Sequence, residues 1–243
     1  MLQITNRFEN KLGEGGYGIG FEGKLSSEVF VAVKVVNDPT GNGEEFTNKV
    51  RTMARIHHVN VVRVVGFCAD GTRRALVYEF LPNDSLEKFI FSENRSSNTL
   101  GWEKLQDIAL GIAKGTEYLH QGSDRRILHF DIKPNNILLD HNFNPKVADF
   151  GLAKLCSKEQ SMVSMTAARG TMGYIAPEVF SRNFWNVSHK SDVYSFGMML
   201  LERVGGRKNT DATVQNTSQF WVVDSSRYIK KTLHPTMLSL KDS

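Results

Sequence analysis

Two short stretches constrain this chain more than any other feature: His129-Phe130-Asp131-Ile132-Lys133-Pro134-Asn135-Asn136 and, soon after, Asp149-Phe150-Gly151. Together they hold what ATP-dependent phosphoryl transfer needs. Asp131 is the candidate for the carboxylate that accepts a hydroxyl proton, Lys133 would meet the moving phosphate, and Asn136 and Asp149 would hold magnesium. Either stretch alone is an ordinary turn sequence. Their order, with a glycine-rich loop and the run Val31-Ala32-Val33-Lys34 upstream, is what carries the reading.

Composition sets few further limits. The chain has 243 residues, 40% hydrophobic and 23% charged, enough for one large domain or two packed lobes. The formal charge of +4 is spread among acidic residues and not gathered in a block, so nucleic acid is not expected as a partner. Cys68 and Cys156 show neither metal spacing nor a disulfide framework, which fits reduced thiols in the cytosol. No apolar run approaches the roughly 18 residues needed to span a bilayer, and the first residues lack the apolar core of a signal peptide. The chain as it stands is expected to be soluble and cytoplasmic.

The first third reads mostly as strands: Phe8 to Leu12, Gly20 to Leu25, Val29 to Val36, Val61 to Phe67 and Ala75 to Phe80. Between them Gly43 to His57 reads as a helix, with Phe46, Val50, Met53 and Ala54 on one face. After Leu81-Pro82-Asn83-Asp84 the texture turns helical. Ser85 to Phe91, Glu103 to His120 and Ser191 to Val204 are the expected helices, the second with Leu105, Ile108, Ala109, Ile112, Ala113 and Leu119 inward. The expected class is α+β with two lobes. The expected divisions are a lead-in over 1–7, a strand-rich lobe over 8–81, a helical lobe over 82–204 and a divergent, poorly ordered tail over 205–243.

Gly13-Glu14-Gly15-Gly16-Tyr17-Gly18 lies between two strand candidates. Glycines let backbone N–H groups approach phosphate oxygens. A glycine-rich hairpin turn is the plain alternative. Lys34, on the next strand, favours the phosphate reading and would pair the α- and β-phosphates.

Glycine loop, strand lysine, catalytic loop, metal loop, Ala176-Pro177-Glu178 and a helical Asp192 occur in the order that resembles the protein kinase family, over about residues 8 to 204. Lys133, with Thr171 in Gly170-Thr171-Met172-Gly173-Tyr174, resembles the serine/threonine type. The runs from Gly41 to Phe46, Arg126 to Pro134 and Val187 to Ser195 resemble the plant leaf-rust-resistance receptor-like kinases. The resemblance implies a bilobal fold with Mg-ATP between the lobes. Gly13, Gly15 and Gly18 would cover the phosphates. Adenine would lie between Leu12, Ala32 and Leu138, bonded to backbone at Glu79 and Leu81, with Tyr78 behind it. Asp192 would hold the backbone around His129, and Met53, Val64, Phe150 and His129 would stack into one column. A protein substrate, receptor or co-receptor kinase partners and a place on the cytoplasmic side of the plasma membrane are implied as well.

Four departures stand against the family pattern. Phe130 replaces the arginine that reads a phosphorylated activation loop, as in the so-called non-RD kinases. Control by phosphorylation of Ser161, Ser164 or Thr166 is therefore doubtful. Lys49 stands where the family has the helix glutamate that pairs with Lys34; two cations 4 Å apart repel by about 4 kcal/mol at an effective dielectric near 20. Glu45, one turn earlier, is the substitute partner, or Lys34 and Asp149 pair alone. Gly20 replaces the valine over the adenine, forfeiting about 1–2 kcal/mol of apolar burial. Finally, no counterpart of the family's last helices is found after Val204, so Glu178 is expected to lack its arginine and the Asp192 helix part of its cover. The expected function is serine/threonine protein kinase; the alternative is an impaired relative or truncated decoy acting through protein binding.

Overall fold

The computed structural model describes residues 1–36, 43–70, 73–90, 100–160, 162–163, 170–180, 187–205 and 209, without the side chains of residues 43–45, 48, 49, 73 and 205. Five antiparallel strands form the upper sheet: β1 (Lys11–Gly15), β2 (Gly18–Lys24), β3 (Phe30–Val36), β4 (Val64–Asp70) and β5 (Arg73–Glu79), in the order β1-β2-β3-β5-β4. Alternation along β3 sorts the two faces. Val31 and Val33 join Ala75 and Val77 in a small core covered by Met1 and Ile4. Ala32 and Val36 pack instead against the main core. The register sets Lys34 opposite Gly20 on β2 and Leu76 on β5.

Helix α1 (Gly43–Met53) buries Phe46, Val50 and Met53 in that core. It stops short of the expected His57. The N–H groups of Arg55 and Ile56 turn back to Thr52 and Met53, and His58 stacks on Tyr118 at 4.8 Å, drawing the chain toward the lower lobe. The strand expected from Val61 begins at Val64, because Val61 makes a parallel bridge to Val147. The strand expected from Phe8 begins at Lys11. Asn6, Arg7 and Phe8 form a left-handed turn that brings the Phe8 ring 5.0 Å from Phe21.

Asn83 bonds to the carbonyls of Leu139 and Asp140, fixing the connection to the lower lobe. There α2 (Glu87–Ile90) and α3 (Trp102–Glu117) follow, α3 running on into a wider turn over Tyr118–Gly122. Ile108, Ile112 and Leu119 are fully buried. Four three-residue strands pair as two ladders: β6 (Arg126–Leu128) with β9 (Lys154–Cys156), and β7 (Ile137–Leu139) with β8 (Pro145–Val147). Helices α4 (Pro177–Phe180) and α5 (Lys190–Gly205) complete the described lobe. One apolar cluster runs unbroken from Phe46 of α1 through Ile112 of α3 to Met199 of α5, so the two lobes share a core.

Candidate active site

The loop after β6 is held from below. Asp192, in the first turn of α5, is fully buried. Its Oδ2 accepts the His129 N–H and its Oδ1 the Phe130 N–H, each at 2.8 Å; His120 Nε2 lies 2.8 Å from Oδ2. These bonds hold Phe130 in a left-handed backbone at φ 62°. Burial pushes the His129 imidazole below its usual range despite the carboxyls of Asp192 and Asp131 nearby. In the neutral tautomer the ring donates from Nε2 to the Ala148 carbonyl (2.9 Å) and accepts the Asp131 N–H at Nδ1 (3.2 Å). One ring thus ties the catalytic loop to the segment entering Asp149.

Around Asp131 the polar side chains close on one another. Asn136 Nδ2 donates to Asp131 Oδ2 at 2.7 Å and to its carbonyl at 2.8 Å. Thr171 Oγ1 donates to Asp131 Oδ1 at 2.6 Å and accepts Lys133 Nζ at 2.8 Å; Lys133 Nζ also lies 3.1 Å from Asp131 Oδ2. The hydroxyl of Thr171 therefore stands between a cation and a carboxylate, the arrangement an acceptor hydroxyl needs.

The second half is Lys34 and Asp149. Lys34 Nζ meets Asp149 Oδ1 at 2.5 Å, and the Gly151 N–H donates to the same oxygen at 3.1 Å. Burial alone would raise the Asp149 pKa, but the Lys34 charge and these hydrogen bonds outweigh it and hold the carboxyl below its usual range. The Ala148 N–H donates to the Asn136 carbonyl at 2.8 Å, joining the two loops. Phe150 is buried, its ring 4.9 Å from that of His129. With Met53 and Val64 it belongs to the main core.

The residues expected to face a nucleotide lie on β1, β2, β3, β5 and β7 and, for Leu81, just after β5. Gly13 and Gly15 belong to β1 and Gly18 opens β2, where φ of 144° and the Val35 carbonyl leave no room for a Cβ. Ala32, Leu81 and Leu138 are partly buried against the main core, whereas Leu12 is exposed on β1. Glu79 closes β5, and its N–H donates to the Arg63 carbonyl at 3.0 Å. Its side chain takes the Arg63 N–H at 2.8 Å and Lys146 Nζ at 3.1 Å. Tyr78 is buried beside Ala32, its partner in the register, and burial with the nearby Asp149 makes its hydroxyl harder to ionise.

Among the described residues no three His, Cys, Asp or Glu side chains converge as a metal site. Asn136 and Asp149 offer two hard oxygen donors, which suits a divalent cation that takes the rest of its shell from phosphate and water.

A family model described as protein kinase domain matches residues 7–241. The chain belongs to the protein kinase family. Membership carries the use of ATP and a divalent cation, and the kinase match runs beyond Val204. Among its relatives, rust resistance kinase Lr10 of Triticum aestivum is 61% identical over 214 residues, covering 87% of this kinase chain and 34% of the relative. A leaf rust 10 disease-resistance locus receptor-like protein kinase (like 2.4) of Arabidopsis thaliana is 53% identical over 222 residues, covering 90% and 36%. The PR5-like receptor kinase of the same plant is 54% identical over 206 residues, covering 84% and 31%. The chain thus spans about a third of the length of these relatives.

Several expectations meet the kinase geometry unevenly. The Lys34–Asp149 pair is present, whereas the side chains of Lys49 and Glu45 on α1 lie outside the described residues, as do Ser161, Ser164, Thr166 and the tail apart from Gly205 and Asn209. Glu178 is exposed on α4. Sequence reasoning missed His120 as a third neighbour of the Asp192 carboxyl; the two stand 72 positions apart, and no spacing pattern announces the pair. It also took Thr171 as a type marker and missed its bond to Asp131. No helix among the described residues is long and apolar enough to cross a membrane.

Proposed function

We propose that this chain transfers the γ-phosphoryl group of Mg-ATP to serine or threonine hydroxyls of proteins, as the kinase portion of a receptor-type signalling protein. The observation that carries this is the closed set Asp131, Lys133, Thr171 and Asn136, joined through the Asn136–Ala148 backbone bond to Asp149 and Lys34.

Each side chain has a role that its contacts support. Asp131 orients the acceptor hydroxyl and takes its proton as the new P–O bond forms and the β–γ bridging bond breaks. Lys133 offsets charge on the transferred group, and Thr171 keeps Asp131 aimed. Lys34 holds the α- and β-phosphates. Asn136 and Asp149 would hold magnesium, which would supply charge neutralisation for the phosphate oxygens. Asp192 and His129 fix the loop so that little reorganisation is needed. Leu12, Ala32 and Leu138 enclose the adenine, with Glu79 and Leu81 at its edge. The names of the relatives support receptor-type signalling; protein substrates, partner kinases and a place at the cytoplasmic side of the plasma membrane are part of this proposal.

Purified protein with labelled ATP, magnesium and a generic basic protein substrate tests the proposal. Turnover that Asp131→Ala abolishes is the expected result. Absence of turnover together with absence of magnesium-dependent nucleotide binding overturns it.

A further inference from the structure

The turn between β1 and β2 consists of Gly16 and Tyr17, so a single aromatic side chain stands at the tip of the glycine loop. That ring is in contact with the metal loop. A Cβ added to Gly151 would lie 2.7 Å from Tyr17 Cγ and 2.8 Å from Cδ2. The backbone of Gly151 lies outside the left-handed region, so its conformation does not call for glycine there; the ring above it does. The N–H of this same glycine donates to Asp149 Oδ1, the oxygen that meets Lys34. Whatever presses on Gly151 therefore bears on the placement of the Asp149 carboxylate.

We propose that Tyr17 is a positioning residue for phosphoryl transfer: its ring clasps Gly151 and ties the tip of the glycine loop to the Asp149 loop. This rests on the function proposed above. A loop with glycines at positions 13, 15, 16 and 18 has much conformational freedom to lose when it closes over phosphates. The clasp removes part of that freedom beforehand, so closing the loop and setting Asp149 become one event. The contact with Gly151 is made by the ring, which a phenylalanine would also supply.

Four variants test the clasp: Tyr17→Phe, Tyr17→Ala, Gly151→Ala and the double variant Tyr17→Ala/Gly151→Ala. Tyr17→Phe keeps kcat/KM for ATP within about twofold of the parent, whereas Tyr17→Ala lowers it about tenfold, mainly through KM. Gly151→Ala brings a similar loss, because its methyl displaces the ring. In the double variant the methyl has no ring to strike; its nearest remaining neighbour in that set is Asp149 Oδ1 at 3.0 Å, which yields with a small shift. The double variant is therefore no weaker than either single one. Losses that multiply, or a Tyr17→Phe variant as weak as Tyr17→Ala, overturn the clasp. If the parent shows no turnover, the proposed function falls, and the same cycle is read in melting temperature without nucleotide. There Gly151→Ala lowers the melting point in the parent and not in the Tyr17→Ala background; equal shifts in both overturn the clasp.

Discussion

Phe130 gives the sharpest quantitative test of how this kinase holds its catalytic loop. The side chain is 4% exposed and sits with Leu128, Leu152, Cys156, Ile175, Ala176, Val179 and Val187 in a cluster separate from the main core. Those neighbours come from β6, the turn after Asp149, β9, α4 with the stretch before it, and the entry to α5, so one cluster joins the catalytic loop to the segment that follows Thr171. Truncating a buried Phe to Ala costs about 3–5 kcal/mol in lost transfer and cavity energy. At about 2–4 °C per kcal/mol for a chain of this size, Phe130→Ala lowers the melting temperature by about 6–20 °C. The backbone adds a second, opposite term. Left-handed geometry costs a non-glycine residue about 1–2 kcal/mol, which Gly escapes while adding up to about 1 kcal/mol of unfolded-chain entropy. Phe130→Gly is therefore as stable as Phe130→Ala or slightly more so, although it removes one more carbon. Phe130→Arg, which restores the residue usual in the family, places a guanidinium among apolar groups and is at least as destabilising as Phe130→Ala. Thermal and urea unfolding of the three variants measure these differences, and turnover under conditions where each is folded reports on the register of Thr171 against Asp131. A loss below about 1 kcal/mol for Phe130→Ala, or a Phe130→Gly clearly less stable than Phe130→Ala, refutes the reasoning.

Three further outcomes are expected. Gly20→Val tightens nucleotide binding about five- to thirtyfold, because the nearest atoms to a Cβ there are 3.7–4.0 Å away and the side chain adds about 1–2 kcal/mol of burial; titration with a fluorescent adenine nucleotide measures it, and unchanged affinity sinks the idea. Lys49→Glu raises turnover more than about tenfold by giving Lys34 a second carboxylate partner from α1; an unchanged rate would mean that position 49 does not face Lys34. Stability falls on acidification: burial holds His129, His58 and His189 below the usual imidazole range, so the unfolded chain binds more protons as pH falls through about 6.5, with a slope of at most about 1.4 kcal/mol per pH unit from the fully buried His129. Asp149, depressed by Lys34 against the effect of burial, contributes stability that is present above about pH 3.9 and lost as pH falls further. Melting temperatures that rise from pH 7.5 to pH 5.5 would contradict this sign.

Which parts were legible follows from how far apart the partners stand. His129, Asp131, Lys133 and Asn136 lie within one loop, so covalent spacing already brings their polar atoms near one another, and residue type alone announces the chemistry. The long helix was legible because it is long enough to show a period, and β3 because its β-branched run is flanked by turn residues. The strands β6 to β9 have three residues each, too few for any period; they exist because tertiary packing brings their ladders together. The anchors of the site were hidden for the opposite reason to its chemistry: they are distant in sequence, and several are apolar. Read alone, Phe130 is a lost arginine and Tyr17 a turn residue. In the fold the first is the hub of a cluster and the second is seated on Gly151. A polar motif declares what a loop does, while the side chains that keep the loop still are chosen by neighbours that the motif does not contain. Substitutions at Phe130 and Tyr17 should accordingly disturb rate and stability together, whereas Asp131→Ala should remove turnover and leave the melting point within a few degrees of the parent. A large loss of stability in Asp131→Ala would erase that division between chemistry and support.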